Sequence, residues 1–521
     1  MIKFFNLNNN SILFFKLIFF LFPFFLISGP LLPDLLTVLV SIYFIIYCFL
    51  NKEIFFFKKN LVIYFLVFYL YVNINSFFGH LPLVSFSNSL PYIRMIFFSI
   101  FFAYLLTKIV NLKKIIFFSF LLSYLILFFD SLIQIKTGYN ILGYPIVTER
   151  IASLFRDKLV MGSYVSRTLP ILIAISYFEN FKHANFLRTL CICLAGTLVF
   201  FSAERLSLFY FIITVFLYLS LIPKKKFLFS NVVLLISLFF VLIFFKPSSI
   251  DRLYKHTLNQ FNTKNFYWFS ERHEMQFVTA YRMFLDKKFL GHGINSFRYL
   301  CDKEPYSTRD LIKVNNKKFS PINGYYYLKK NFLEGKTFIY FIEETKMLEF
   351  EIIYQTLEDS IKSKDNSKIL QANENLEIFK KNNLLIQWQI HNIILDSIKS
   401  PSLINKGDYV ISNSEFDNGC NTHPHNLHLQ VLSELGLLGY LFLFIFFLYL
   451  IFIFFKNFIS IVFKNYKNKK YNYNLYCIFI VVGLIQFLFP IAPSGNIFNN
   501  WLSIFFYFKL AFLFNILYYN K

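Results

Sequence analysis

Apolar residues in this chain come in runs of about twenty, the length a helix needs to cross a bilayer, and short connections rich in Lys and Asn separate them. The runs predict twelve spans, beginning near Ser11, Leu31, Leu61, Tyr92, Ile115, Met161, Thr189, Leu206, Phe227, Leu427, Tyr476 and Trp501. The seventh and eighth are short and meet at Glu204 and Arg205, as a tight hairpin or one broken helix would. No small-residue cleavage site follows the first run, which predicts a retained span. After the ninth run the pattern changes. ERHEMQFVTAYRMFLDKKFLGHG (271–293) alternates apolar and charged positions as an amphipathic helix does and then turns at Gly291 and Gly293. The stretch 302–419 is rich in Lys, Asn, Glu and Tyr and reads as helical in places, as in MLEFEIIYQTLEDSIKS. The predicted organisation is a membrane bundle of about nine spans over 1–245, a large outer loop over 246–425 carrying the insert 302–419, and about three further spans over 426–521. The fold class expected is an all-α polytopic membrane protein with a large, mainly helical loop.

Composition agrees: 56% of the 521 residues are hydrophobic and 75 are Phe, beyond the range of soluble domains. Charge orients the bundle. Lys52, Lys58 and Lys59, then Lys108, Lys113 and Lys114, then Lys182 and Arg188, then Lys224, Lys225 and Lys226 fall on alternate connections, which the positive-inside bias makes cytoplasmic. Both termini are then expected inside the cytoplasmic membrane and the large loop outside it. Of the 29 acidic residues, 21 lie between Asp251 and Asp417, where 24 Lys and Arg nearly balance them. The net charge of +23 therefore belongs mostly to the cytoplasmic fringe, and no nucleic-acid partner is implied.

Chemistry gathers at the mouth of the tenth span, THPHNLHLQVLSELGLLGY (422–440). Asn421 or Thr422 suits a helix cap and Pro424 a first turn, which would set His425 at the start of the span. A helix N-terminus favours an anion and disfavours an imidazolium, so His425 would be a neutral base beside an anion site. Three other readings stand beside this one. His425 can be an interfacial anchor; His423, His425 and His428 can bind zinc, although no Cys or carboxylate is placed to complete the site; Gly436 and Gly439 can serve close helix packing. Glu434, further along, would pair with an arginine or make a buried hydrogen bond. Asp34, Asp130 and Glu204 map near span ends, whereas a transporter or flippase should carry broken helices and charges at mid-membrane. Cys301 and Cys420 flank the insert on the oxidising side, as a disulfide or as two unrelated thiols.

The spacing of His425 and Asn426, nine residues, Gly436, two residues and Gly439, after a long outer loop, resembles the signature of the O-antigen ligase and polymerase superfamily. SAERLSL (202–208) is similar to that family's outer arginine between two spans, ERIASLFRDK (149–158) to its upstream arginine loop, and ERHEM to the segment opening the large loop. The resemblance implies a GT-C-like inner-membrane glycosyltransferase with a periplasmic active site. Such an enzyme is inverting and independent of metal, and it moves glycan from undecaprenyl diphosphate to lipid A core or another glycan acceptor without a cofactor. His425 would be the base and Asn426 would orient it or the substrate, while Arg150, Arg205 and Arg272 would hold the diphosphate through forked hydrogen bonds. A polymerase, using a second lipid-linked glycan as acceptor, is the near alternative. The insert 302–419 departs from the family pattern, and no function carries over to it.

Overall fold

The computed structural model describes residues 8–255 apart from 148, 223 and 224, then 258, 271–306 apart from 302 and 304, 346–383 apart from 364, and 419–519 apart from 464–468 and 491. Between 313 and 411 it also gives the backbone of seven strands. The chain divides into two compact units: one of Met1–Ser270, Phe284–Ser296 and His425–Lys521, the other of Glu271–Met283 and Phe297–Pro424. The boundary thus falls within the expected outer loop, because residues 284–296 belong with the membrane helices.

In the first unit every described element longer than a bridge is helical. A helix stands at each of the twelve expected positions, from Asn9–Ser28 to Asn500–Tyr518. Among the described residues eight helices are long and apolar enough to cross a membrane, or nine if the bent pair Phe227–Ile243 and Ser248–Tyr254 is one span. Of the others, Arg205–Ser220 and Lys470–Ile485 are shorter apolar helices, and Met161–Phe178 carries Arg167 and Pro170. Leu13, Leu17, Phe49, Phe216 and Phe463 are exposed on helix exteriors, which suits contact with lipid acyl chains and makes this a multi-pass membrane protein. The span Asn500–Tyr518 sits deepest, with every residue from Ser503 to Ile516 buried. Ring stacking holds it to its neighbours, as in Phe22 on Phe508 at 4.5 Å between centroids. The short runs meeting at Glu204 are two separate helices, Ala184–Ser202 and Arg205–Ser220, joined through Ala203 at a left-handed φ of 49°.

Leu427–Phe463 is the element that most changes the expected picture. Its 37 residues would make a rod of about 55 Å at 1.5 Å per residue, far beyond a ~30 Å hydrocarbon layer. It is broken at Gly436, whose φ of 65° and ψ of −170° leave the helical region. The span proper therefore runs from the break onward, and 427–435 is a separate short helix.

The second unit departs from the mainly helical expectation. Its helices Met347–Ser363 and Asn366–Asn383 pack through Phe350, Tyr354, Leu376 and Phe379. Beside them in sequence lies an antiparallel five-stranded sheet in the order Ile386–Ile390, Lys336–Glu343, Gly324–Asn331, Asp408–Ile411 and Ile404–Asn405. Tyr325 pairs with Ile342 and Tyr327 with Tyr340 in its central hairpin. Runs such as GYYYLKKN and KTFIYFIE are β-rich in aromatics and Ile, a signal hidden by the chain-wide excess of both. Cys301 and Cys420 are joined in a disulfide, with 4.9 Å between their Cα atoms.

Candidate functional site

The mouth of the broken helix is built by backbone pairing. Residues 288–293 of the long connection enter the gap at Gly436, where a continuous helix would have used its own hydrogen bonds. The N–H groups of His292 and Gly293 donate to the carbonyls of Ser433 and Glu434 at 3.1 and 2.8 Å, and those of Leu437 and Leu438 donate to Lys288 and Phe289 at 2.7 and 3.3 Å. The carbonyl of Leu435 accepts from the Tyr71 hydroxyl at 2.5 Å, and that of Leu290 from the Asn75 amide. Glycine is required on both sides of this seam. A Cβ on Gly291 would stand 2.5 Å from the backbone nitrogen of Gly436, and one on Gly436 would meet the carbonyl of Phe289. Gly436 is thus a break in the helix and not the packing residue expected; Gly439 does allow close approach, of the Tyr71 ring.

The cap is not where the sequence put it. Asn421 and Thr422 lie upstream, Pro424 is outside the helix, and His425 takes a left-handed φ of 50° two residues before the helix begins. Asn426 is the cap: its Oδ1 accepts from Leu429 N–H at 3.0 Å and its Nδ2 donates to the Pro490 carbonyl at 2.9 Å. Both ends of its amide are therefore engaged in the fold. His425 is half-buried, and its carbonyl accepts from Ser494 N–H at 2.7 Å. His428 is buried, with Nε2 donating to the Leu488 carbonyl at 2.8 Å and Nδ1 facing the Tyr440 hydroxyl at 3.3 Å, which engages both nitrogens that a zinc ion would need. No group of three metal-binding side chains forms among the described residues.

Glu434 is fully buried and its Oε2 accepts from Gln430 Nε2 at 3.1 Å. The same Gln430 amide reaches Asn496 Oδ1 at 2.7 Å, and Asn496 Nδ2 reaches Asn295 at 3.0 Å. This buried amide chain, missed in the sequence, ties the short helix to the loop before Asn500–Tyr518 and to residue 295.

The arginines separate into two groups. Arg150 donates from Nε to the Ser202 carbonyl at 3.2 Å and from Nη2 to Leu159 at 2.9 Å, and it stands 3.6 Å from the Glu204 carboxylate. Burial pushes its pKa down, Glu204 holds it up, and the nearby charges of Arg252 and Arg205 press it down again. Burial likewise pushes the Glu204 carboxyl up against the pull of Arg150, while Gly162 N–H and the Ser207 hydroxyl each donate to it at 2.9 Å. Arg205 is exposed at the start of its helix. Lys246 joins this cluster, with Nζ donating to the Glu149 and Phe201 carbonyls at 2.6 and 3.0 Å. Arg150 and Arg205 are therefore brought together, with Arg252 and Lys246 added. Arg272 lies on Glu271–Asp286 in the second unit, and its side chain is outside the described residues.

Two further cations lie inside the bundle. Arg167 on Met161–Phe178 is 5% exposed and Lys509 on Asn500–Tyr518 is fully buried. Each stands alone in an apolar run, YVSRTLPI and FYFKLAF, a signal that a survey of acidic residues passes over. Asp34 and Asp130, by contrast, serve span ends: Asp34 pairs with Arg94 at 2.9 Å, and Asp130 accepts from Ser153 at 2.5 Å. Compared with known proteins, the chain matches no protein-family model and no curated protein sequence, so its reading rests on these residues alone.

Proposed function

We propose that the chain is an O-antigen ligase-like glycosyltransferase of the GT-C-like kind, built on twelve spans of the bacterial inner membrane with its active site at the periplasmic face. It transfers glycan from undecaprenyl diphosphate to lipid A core. The observation that carries the reading is His425: a half-buried imidazole set just outside a helix mouth, on a backbone fixed by Ser494 and by the Asn426 clamp. In this reaction His425 takes the proton of the acceptor hydroxyl as its oxygen bonds the anomeric carbon. The bond from that carbon to the diphosphate oxygen breaks on the opposite face, which inverts the centre, and the diphosphate leaves with the electron pair. Arg205, at the exposed edge of the Arg150 and Arg252 cluster, stabilises its charge. Arg150, whose fork is held by two carbonyls, positions that cluster.

Purified protein in lipid nanodiscs, given a polyprenyl diphosphate-linked glycan and a lipid A core acceptor, should form the glycoside. His425→Ala should slow it by about 10² to 10⁴ without disturbing the fold. Normal transfer by that variant would remove the assignment. Transfer only when the acceptor is a second lipid-linked glycan would identify the polymerase. A transporter reading draws on the break at Gly436 and on the two buried cations. In transport sites, however, the backbone groups freed by a break face the cargo, and here those of 433–438 are bonded to 288–293.

A further inference from the structure

Arg167 is placed unlike a structural arginine. Although it is 5% exposed, its Nε has no hydrogen-bond partner among the described residues. The guanidinium rests on the Phe487 ring at 4.6 Å and lies 5.6 Å from that of Tyr210. Lys509 reaches the same Phe487 ring at 4.9 Å while donating to the Gly483 carbonyl at 2.7 Å. No carboxylate makes a salt bridge with either cation among the described residues. Two like charges buried at one ring, well inside the helices that carry them, oppose each other and have lost water; such a pair is held when something anionic completes it.

The space for that anion is a narrow cleft of about 10 Å³ beside the ring, room for one oxygen atom of an anion and not for a whole phosphate. Arg167 lines it together with Leu427, Ser494, Gly495 and Leu502. Ser494 supplies a second donor: its hydroxyl is buried and has no partner among the described residues. The N–H of this same serine holds the His425 carbonyl at 2.7 Å, and Leu427 follows His425 by two residues. The cleft therefore adjoins the His425 backbone. At its other side Arg167 shares its helix with Gly162, whose N–H binds Glu204.

Resting on the glycosyl-transfer reading above, we infer that this cleft binds a phosphate oxyanion of the lipid diphosphate through Arg167 and Ser494, with Lys509 adding a second positive charge at the Phe487 ring. Arg205, exposed at its helix start, would then meet the diphosphate first, and the Arg167 cleft would hold it against the reacting centre. Arginine suits the position because it keeps its proton when buried and can both stack on a ring and donate in its plane.

The test uses the full chain in nanodiscs of zwitterionic lipid, with farnesyl diphosphate as probe and inorganic pyrophosphate, farnesol and phosphatidylglycerol vesicles as competitors. Binding displaced by pyrophosphate and not by farnesol is expected. Arg167→Gln should raise the Kd at least tenfold, with Arg167→Lys between it and wild type. Ser494→Ala should raise it a few fold. Wild-type affinity in both Arg167→Lys and Ser494→Ala, which keep a cation or a small side chain and so preserve the bundle, would overturn the site. Displacement by phosphatidylglycerol but not by pyrophosphate would also overturn it in favour of a phospholipid headgroup. Glycan transfer separates this inference from the reading beneath it. Arg167-dependent diphosphate binding without transfer keeps the site and ends the glycosyltransferase reading; unimpaired transfer by both variants does the reverse.

Discussion

His425 and Asn426 are neighbours in sequence with opposite duties. Asn426 spends its amide on the Leu429 N–H and the Pro490 carbonyl, whereas His425 stands outside the helix, its carbonyl accepting from Ser494 N–H. Loss of a helix cap costs ~1 kcal/mol, and loss of a buried side-chain hydrogen bond adds a comparable amount. Asn426→Ala should therefore lower the melting temperature of the detergent-solubilised protein by several degrees, while His425→Ala, outside the helix, should lower it less. Equal melting temperatures for the two variants would contradict this division. The sequence exposed both residues but not their duties. Asn421, Thr422 and Pro424 satisfy capping rules as well as Asn426 does, and only the carbonyl of Pro490, sixty-four residues away, decides among them. Arg167 and Lys509 were legible as lone cations in apolar runs. Their meeting at Phe487 was not, because it joins two helices and a turn distant from one another in the chain.

At the scale of elements, the positions of the helices were legible throughout, since each is an apolar run and the bilayer demands that its backbone be paired internally. The seam at Gly436 was not, because its hydrogen bonds join residues 288–293 to 433–438 and leave no periodic trace. Glycine was the one visible sign, and its pattern fits packing as well as a break. The two explanations differ in their consequences. Alanine at a packing glycine pushes a neighbouring helix aside, whereas alanine at Gly436 must adopt a φ of 65° and also meet the carbonyl of Phe289. Backbone strain of this kind costs about 1 to 3 kcal/mol before the clash is counted. Gly436→Ala and Gly291→Ala should each destabilise the solubilised protein by at least that much. The double variant should lose less than the sum, because both side chains press on one seam. Additive losses in thermal unfolding would mean that the two glycines act apart.

For the whole molecule, the partition into two units was half legible. Composition marks the insert, but it does not reveal that 284–296 belong with the membrane helices or that the insert carries a sheet. The disulfide closes the insert unit across a separation of 119 residues, which in the chain-entropy model stabilises it by up to ~5 kcal/mol. Reduction under native conditions should make the insert sensitive to protease and leave the membrane bundle's melting temperature unchanged. Persistent resistance with both thiols alkylated would show that the crosslink contributes little. The seam also has a consequence for biogenesis. Residues 288–293 leave the ribosome roughly 140 residues before 433–438, a wait on the order of ten seconds at usual synthesis rates. Throughout that interval the loop has no seam to enter, and the whole insert is made before the seam can form. Synthesis of the insert is thus a precondition for completing the helix mouth, so a cell that stalls translation there would accumulate a bundle with most of its helices made and no assembled site.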